Sequence, residues 1–110
     1  SLSDQRDKSE IQELSLGLDF IKDLKPVSYT WTRRDGTFEG VKDVGFIAQE
    51  LDETQQKFNS EEITRLVDKK DPEKYYADYL RTYPILVKAV QELAQQVENL
   101  QNELNLLKNK

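Results

Sequence analysis

Cysteine and histidine are both absent from the 110 residues. Disulfides, cysteine or histidine metal sites and any histidine-based catalytic triad are therefore excluded, and we expect neither a metal nor a cofactor. Methionine is missing too, even at position 1, so we expect the chain to be a piece of a longer polypeptide. Only four glycines are present, and they form neither a phosphate-binding loop nor a dinucleotide fingerprint.

Long apolar runs are also lacking. Hydrophobic residues make up 36% of the chain and charged residues 34%. The longest apolar run, residues 84–90, is interrupted by Lys88 and is too short to span a bilayer, and no signal segment opens the chain. The 16 basic and 21 acidic residues give a net charge of −5, so we expect no nucleic-acid and no membrane partner. A thin core predicts long solvated helices or a core completed by partner chains.

The first part of the chain predicts a small α+β domain. Apolar residues three or four apart predict a helix that begins at Ser9 and ends before Pro26. Gly17 weakens that helix, and we expect close packing to be the reason for it. Residues 27–32 alternate between apolar and hydroxylated side chains, as a half-buried strand does. Asp35-Gly36 predicts a hairpin turn, residues 37–39 the beginning of the return strand, and residues 41–47 a second strand. Residues 48–51 predict the start of a short helix, 52–62 a polar loop, 63–67 a strand, 71–72 a turn and 75–77 a further short element.

The last thirty residues predict a coiled coil. Seven apolar residues are separated alternately by four and three positions, which is the heptad spacing of a helical seam. The seam consists of Leu86, Val90, Leu93, Val97, Leu100, Leu104 and Leu107. Glu103 and Lys108 can pair between parallel neighbours, which favours parallel chains. Valine at a with leucine at d favours two strands, whereas apolar flanking positions widen the seam for more, so the heptads leave dimer and trimer open.

Serine with lysine is the catalytic combination that remains once adjacent carboxylates, such as Asp52/Glu53 and Glu61/Glu62, are interpreted as solvated charges on a polar loop. Without histidine, a serine hydroxyl needs a neutral lysine as its base. Ser3 and Lys8 are five positions apart, and in a regular helix such side chains point about 140° away from each other. They can meet only if Ser3 lies in an extended or turned segment, which Asp4 or Asp7 as a helix cap would allow.

Four motifs, in this order, resemble a known family. The opening reads Ser3-Asp4-x-Arg6-x-Lys8, residues 24–31 read Leu-Lys-Pro-Val-x-Tyr-x-Trp, and residues 45–51 read Gly-Phe-Ile-Ala-Gln-Glu-Leu. Residues 79–93 then lead into the coiled coil through Tyr-Leu-x-x-Tyr-Pro. Together they are similar to the C-terminal intramolecular chaperone domain of phage tailspikes and tail fibres, the endosialidase type, which also occurs in the myelin regulatory factor of animals.

The resemblance implies a function for these residues. Such a domain ends a longer fibre protein, trimerises it, assists folding of the upstream stalk and then cuts itself off before the serine, once and in cis. It implies Ser3 as nucleophile, Lys8 as its base and the bond between Leu2 and Ser3 as the cleavage site. Possible positioning residues are Asp4, Arg6, Gln49 and Glu50.

The resemblance also implies an organisation and a place of action. Residues 1–2 are an expression remnant or the end of the upstream stalk, residues 3–80 the α+β chaperone and autoprotease domain, and residues 81–110 the helix of a parallel trimeric coiled coil. The expected partners are two further copies and the stalk of the same polypeptide. The expected location is the host-cell cytoplasm during virion assembly, with release from the mature fibre after cleavage. The alternatives are a trimerisation module without catalysis and a coiled-coil adaptor that binds a foreign helix.

Overall fold

The computed structural model describes all 110 residues and has an α+β architecture. A 3₁₀ turn (Gln5–Asp7) precedes helix α1 (Leu18–Asp23), strands β1 (Val27–Thr30) and β2 (Lys42–Gly45), helices α2 (Ala48–Lys57) and α3 (Glu61–Thr64), strands β3 (Val67–Asp68) and β4 (Tyr76–Ala77), a second 3₁₀ turn (Tyr79–Thr82) and helix α4 (Tyr83–Lys108). Strand β1 pairs with β2 and β3 with β4, both antiparallel, in two separate two-stranded sheets. The expected small hairpins and long C-terminal helix are therefore present.

Helix α1 is shorter than its apolar spacing predicts. It begins at Leu18 rather than Ser9, so the predicted helix is wrong for residues 9–17. Glu10 has a φ of 52°, a left-handed conformation that a right-handed helix does not include. Leu14 and Leu16 nevertheless pack against the hydrophobic core. The apolar spacing in residues 9–17 therefore comes from side chains that pack against the core, although the backbone there is not helical.

Gly17 lies where α1 crosses α4. It is buried, and a Cβ at this position would lie 2.9 Å from the Lys88 Cγ atom and would collide with the Glu92 carboxylate. That carboxylate accepts a hydrogen bond from the Leu18 backbone N–H at 3.0 Å. The prediction that close packing explains this glycine is confirmed.

Strands β1 and β2 form the predicted hairpin. Val27 pairs with Gly45 and Thr30 with Lys42, and Val27 and Tyr29 turn their side chains inward. Gly36 has a φ of 79°, as a turn at Asp35-Gly36 requires. Both strands are shorter than predicted, and residues 37–40 form a further turn instead of beginning the return strand.

The segment predicted as a polar loop is helical instead. Helix α2 continues to Lys57 and α3 follows almost at once, so the loop prediction for residues 52–62 is wrong. Gln55 is fully buried, and its Oε1 atom accepts hydrogen bonds from Thr64 Oγ1 at 2.8 Å and from the Leu66 N–H at 3.1 Å. This buried polar contact joins α2 to the residues that follow it, and composition alone gave no sign of it.

The remaining short elements are partly as expected. Of the strand predicted over residues 63–67, only Val67 lies in β3, because Glu61–Thr64 forms a helical turn. The turn at residues 71–72 is present, closed by a hydrogen bond from the Lys74 N–H to the Asp71 carbonyl at 3.1 Å. Strand β4 lies within the short element predicted over residues 75–77.

The hydrophobic core is thin, as the composition indicates. Only 10 of the 110 residues are buried, and the core cluster consists of Phe20, Leu51, Leu66 and Ile85. Ile85 belongs to α4, so the long helix supplies part of the core of the α+β domain. No helix has both the length and the apolar character needed to cross a membrane.

Helix α4 projects far beyond that core. Its 26 residues extend for about 39 Å at about 1.5 Å per residue, and Pro84 lies in its first turn, where a proline is tolerated. The radius of gyration is 18.9 Å, whereas a compact chain of this length has about 13 Å. From Gln91 onward every residue except Glu92 is exposed. Most of this helix has no partner within its own chain.

Candidate active site

The N-terminal residues form a tight turn that is held by Asp4. Its backbone is extended (φ −69°, ψ 133°), and its carboxylate accepts a hydrogen bond from the Arg6 N–H at 2.8 Å. The Asp7 N–H donates to the Asp4 carbonyl at 3.0 Å, and the Lys8 N–H donates to the Gln5 carbonyl at 3.2 Å. Aspartate is among the preferred residues at such a cap because its side chain satisfies an otherwise unpaired N–H. The chain therefore reverses between Ser3 and Lys8.

The turn brings Ser3 and Lys8 together. The Lys8 ammonium Nζ lies 2.7 Å from the Ser3 hydroxyl oxygen and donates a hydrogen bond to it. This contact depends on the extended residue at Asp4, since a continuous helix would separate side chains that are five positions apart. A proton can pass directly between a serine oxygen and a lysine nitrogen at this distance. The two groups are thus in direct hydrogen-bond contact, and both are exposed in the single chain.

Asp4 and Arg6 form a salt bridge on the same turn. The guanidinium donates from Nη2 to one carboxylate oxygen at 2.8 Å and from Nε to the other at 3.1 Å. This hydrogen bond lowers the pKa of Asp4 and raises the pKa of Arg6, so both remain charged. Neither side chain forms a hydrogen bond with Ser3 or Lys8. Their visible effect is on the shape of the turn, and a positioning role for them stays a prediction.

Gln49 and Glu50 lie elsewhere, in the first turn of α2. The Glu50 carboxylate is 3.8 Å from the Lys25 ammonium, and no hydrogen bond or ion pair joins either residue to the serine–lysine pair. The structure therefore does not bring these two predicted positioning residues into contact with the pair.

A second charged cluster was missed by the reading of the sequence. Lys69 lies 3.1 Å from the Asp52 carboxylate and 3.2 Å from that of Glu61. Partial burial raises the pKa of Asp52, but hydrogen bonds from Gln55, Lys69 and Gln56 outweigh it and the net shift is downward. Hydrogen bonds from Gln56, which has the larger effect, and from Lys69 lower the pKa of Glu61. These carboxylates are held ionised and paired, which suits a structural role better than proton transfer.

No group of three or more potential metal ligands lies together in the chain. Asp52 and Glu61, which lie near each other, are both paired with Lys69.

Helix α4 has two faces with different surroundings. Ile85 and Ala89, each 3% exposed, pack on the α+β domain, and Lys88 on the same face pairs with Glu13 at 3.0 Å. The seven seam residues lie outside this contact and remain between 45% and 64% exposed. An amphipathic helix folded back on its own domain would have buried them. The heptad face is therefore an uncovered apolar surface.

Tyr83 extends that surface by one position that the sequence reading missed. It lies three residues before Leu86 and seven before Val90, so it occupies an a position, and it is 66% exposed. Extending the same alternation of four and three residues toward the N-terminus would have identified it.

Residues 3–60 match the model of a family that is named as a peptidase and described as the chaperone of endosialidase. The match begins at Ser3 and includes the whole serine–lysine turn and α1, the hairpin and α2. No curated protein and no solved structure matches the chain.

Proposed function

Because this chain belongs to the family described as the chaperone of endosialidase, we propose that it is the intramolecular chaperone of a phage tail fibre or tailspike. It trimerises that protein, assists folding of the upstream stalk during virion assembly in the host-cell cytoplasm, and then releases itself by cutting before Ser3. The observation that carries the peptidase part is the contact of 2.7 Å between Ser3 Oγ and Lys8 Nζ at the start of the matched segment.

Trimerisation is supported by the two faces of α4. One face is used within the chain, while the heptad face from Tyr83 to Leu107 is exposed along about 36 Å of helix. Exposed apolar stripes of this extent mark association sites because burying them releases water from a large apolar area. Glu103 and Lys108 favour a parallel arrangement, which is also the one that would bring three copies of the upstream stalk into register.

The proposed chemistry is an N-to-O acyl shift followed by hydrolysis. The Lys8 amine, in its neutral form, accepts the proton of the Ser3 hydroxyl while Oγ attacks the carbonyl carbon of Leu2. The carbon–nitrogen bond breaks, the proton passes to the departing Ser3 nitrogen, and Leu2 is left as an ester on Oγ. Water then opens the ester, which yields a Leu2 carboxylate, a free Ser3 hydroxyl and a new N-terminal amine. The attack is intramolecular, because Oγ and the Leu2 carbonyl are joined through the Ser3 backbone, and this favours it over attack by a separate molecule.

Assembly is the step that we expect to switch on this chemistry. A lysine acts as a base only when burial or neighbouring cations favour its neutral form. In the single chain Ser3 and Lys8 are exposed to water. Association around α4 would cover surface at the base of that helix and supply the missing burial, so the cut would follow trimerisation.

This order also suits the folding problem of a fibre. Local helix pairing is faster than the non-local strand pairing of a β-rich stalk, so a coiled coil can align three chains before the stalk forms. Removing the domain afterwards takes away the template on which the stalk folded. An assembled stalk is then kinetically harder to unfold and refold.

The test is the intact mass of a precursor that carries a long native stretch upstream. Its Ser3→Ala and Lys8→Ala versions are compared with Ser9→Ala, a nearby exposed serine outside the pair, and with Lys8→Arg, which keeps the positive charge but provides no neutral amine at ordinary pH. We expect the parent and Ser9→Ala to split before Ser3, and the other three to stay whole. An uncut parent that is nevertheless trimeric would refute the peptidase and leave a trimerisation module. A parent that stays monomeric until a foreign helix is added would indicate an adaptor.

A further inference from the structure

An open groove of about 490 Å³ lies between the base of α4, α3 and the irregular segment before α1. Its apolar lining comes from Leu14, Leu16, Ile63, Leu80, Pro84 and Ile85. Two of these lining residues are exposed to solvent, Ile63 at 66% and Leu80 at 80%. The groove is thus built on the hydrophobic core, and part of its apolar wall is exposed.

Ser1 lies at the edge of this groove. Ser1 is two residues before Ser3, a separation of at most about 7 Å of extended chain. The segment on the acyl side of the Leu2–Ser3 bond therefore runs from the nucleophile toward the groove. Leu2 itself is 80% exposed and its carbonyl accepts no hydrogen bond within the chain, so nothing there fixes the carbonyl that Ser3 would attack.

The groove has a wall that hydrogen bonds hold in place and one carboxylate that has no hydrogen-bond partner. Arg81 donates from Nε to the Thr64 carbonyl at 2.8 Å and from Nη2 to the Ile63 carbonyl at 3.4 Å, which ties the wall formed by α3 to the base of α4. Asp78 is one of the residues that line the groove, and its carboxylate accepts no hydrogen bond within the chain. A backbone N–H of an extended segment would satisfy such an acceptor.

We propose that this groove seats the segment of the same chain that precedes Ser3, namely Ser1, Leu2 and the stalk residues before them, and thereby holds the Leu2 carbonyl in place for the Ser3 hydroxyl. The inference rests on the proposed function, because it takes the Leu2–Ser3 bond as the bond that is cut. It adds a binding site for the acyl side of the substrate. Ile63 and Leu80 act there as positioning residues through the segment that they cover.

The first test uses the trimeric precursor with Ile63→Glu or Leu80→Glu. Both side chains are exposed, so the substitutions leave the core intact while making the groove wall polar. Val44→Glu is the matched control, since Val44 is 72% exposed and lies on β2 outside the groove. We expect each groove variant to slow cleavage at least about tenfold at an unchanged trimer mass, because misplaced reacting groups lose much of their rate. We expect the control to cleave at the parental rate.

A second measurement locates the segment directly and does not depend on cleavage. The chain has no cysteine, so a Ser3→Ala precursor with Ser1→Cys and Leu80→Cys, and with any upstream cysteine replaced by serine, offers one pair to a short bismaleimide. We expect a cross-link within one chain, which keeps monomer mobility on a denaturing gel. The pair Ser1→Cys with Val44→Cys should give none.

The outcomes separate the two proposals. An uncut parent overturns the proposed cleavage, whatever the cross-link shows. A parent that is cut, with groove variants that cleave at the parental rate, overturns the groove alone. Cross-links only between chains, or none, also overturn it. If a groove variant fails to trimerise, the cross-link decides, because its cysteine pair introduces no charge.

Discussion

The sharpest prediction concerns two leucines on the exposed part of α4. Leu100 occupies a d position of the seam and is 64% exposed, whereas Leu106 occupies a c position and is 68% exposed. The single chain gives them almost the same surroundings. If α4 forms a coiled coil, association buries the first and leaves the second in water. Replacing each by alanine therefore compares one residue type on one helix, with only the heptad position changed.

The magnitude follows from the exposed fraction. Burying a whole leucine side chain is worth about 1.5–3 kcal/mol, so burying the remaining 64% of Leu100 is worth about 1–2 kcal/mol for each chain. Three copies in a trimer give about 3–6 kcal/mol. Leu100→Ala should therefore lower the trimer association constant by about a hundredfold to ten-thousandfold. Leu106→Ala should leave it nearly unchanged, apart from a few tenths of a kcal/mol in helix propensity.

Sedimentation equilibrium of the 110-residue chain over a range of concentrations measures this directly. The parent is expected to sediment as a trimer, and Leu100→Ala to dissociate at much higher concentrations than the parent or Leu106→Ala. Equal effects of the two substitutions would refute the assignment of the seam. A parent of twice the chain mass would give two strands, the stoichiometry that valine at a and leucine at d favour. A parent that stays monomeric at every concentration would refute association through α4.

Three further predictions concern the α+β domain, and each is checked by urea unfolding at a fixed chain concentration. Gln55→Leu should lower the free energy of unfolding by about 1–3 kcal/mol, because the buried Leu66 N–H loses its acceptor while the Thr64 hydroxyl can turn to the Ser60 carbonyl at 3.1 Å. An unchanged urea midpoint would contradict this. Gly17→Ala should also lower the free energy of unfolding by about 1–3 kcal/mol, since the added methyl group displaces the Glu92 carboxylate from the Leu18 N–H. If Gly17→Ala causes the same loss in a Glu92→Ala background, the lost hydrogen bond is not the cause. Acid should destabilise the domain: five carboxyl groups have a lowered pKa in the folded state, so the unfolded chain binds protons first and stability falls as the pH drops below about 4. A midpoint that is the same at pH 7 and pH 3 would refute that linkage.

Regular repeats were the features that the sequence determined most fully. The alternation of four and three residues from Leu86 to Leu107 predicted a long helix with one apolar face, and α4 has both. Alternation in residues 27–32 and the Asp35-Gly36 pair predicted the hairpin, whose first strand is residues 27–30. Such features depend on neighbours along the chain, so the sequence contains all that is needed to predict them. The absence of cysteine and histidine likewise restricted the possible chemistry to a very few residue types.

Contacts between distant residues were decided only by the tertiary structure. Residues 9–17 have helical spacing but lie as an irregular segment against the core, and residues 52–62 have the composition of a loop but form α2 and α3 around the buried Gln55. The serine–lysine pair shows the division most clearly. The sequence provided both residues and the condition under which they meet, whereas the extended Asp4 and the turn after it brought them to 2.7 Å. Burial and turn geometry arise from the whole fold, and a local pattern does not record which side chain will be enclosed or where the chain will reverse.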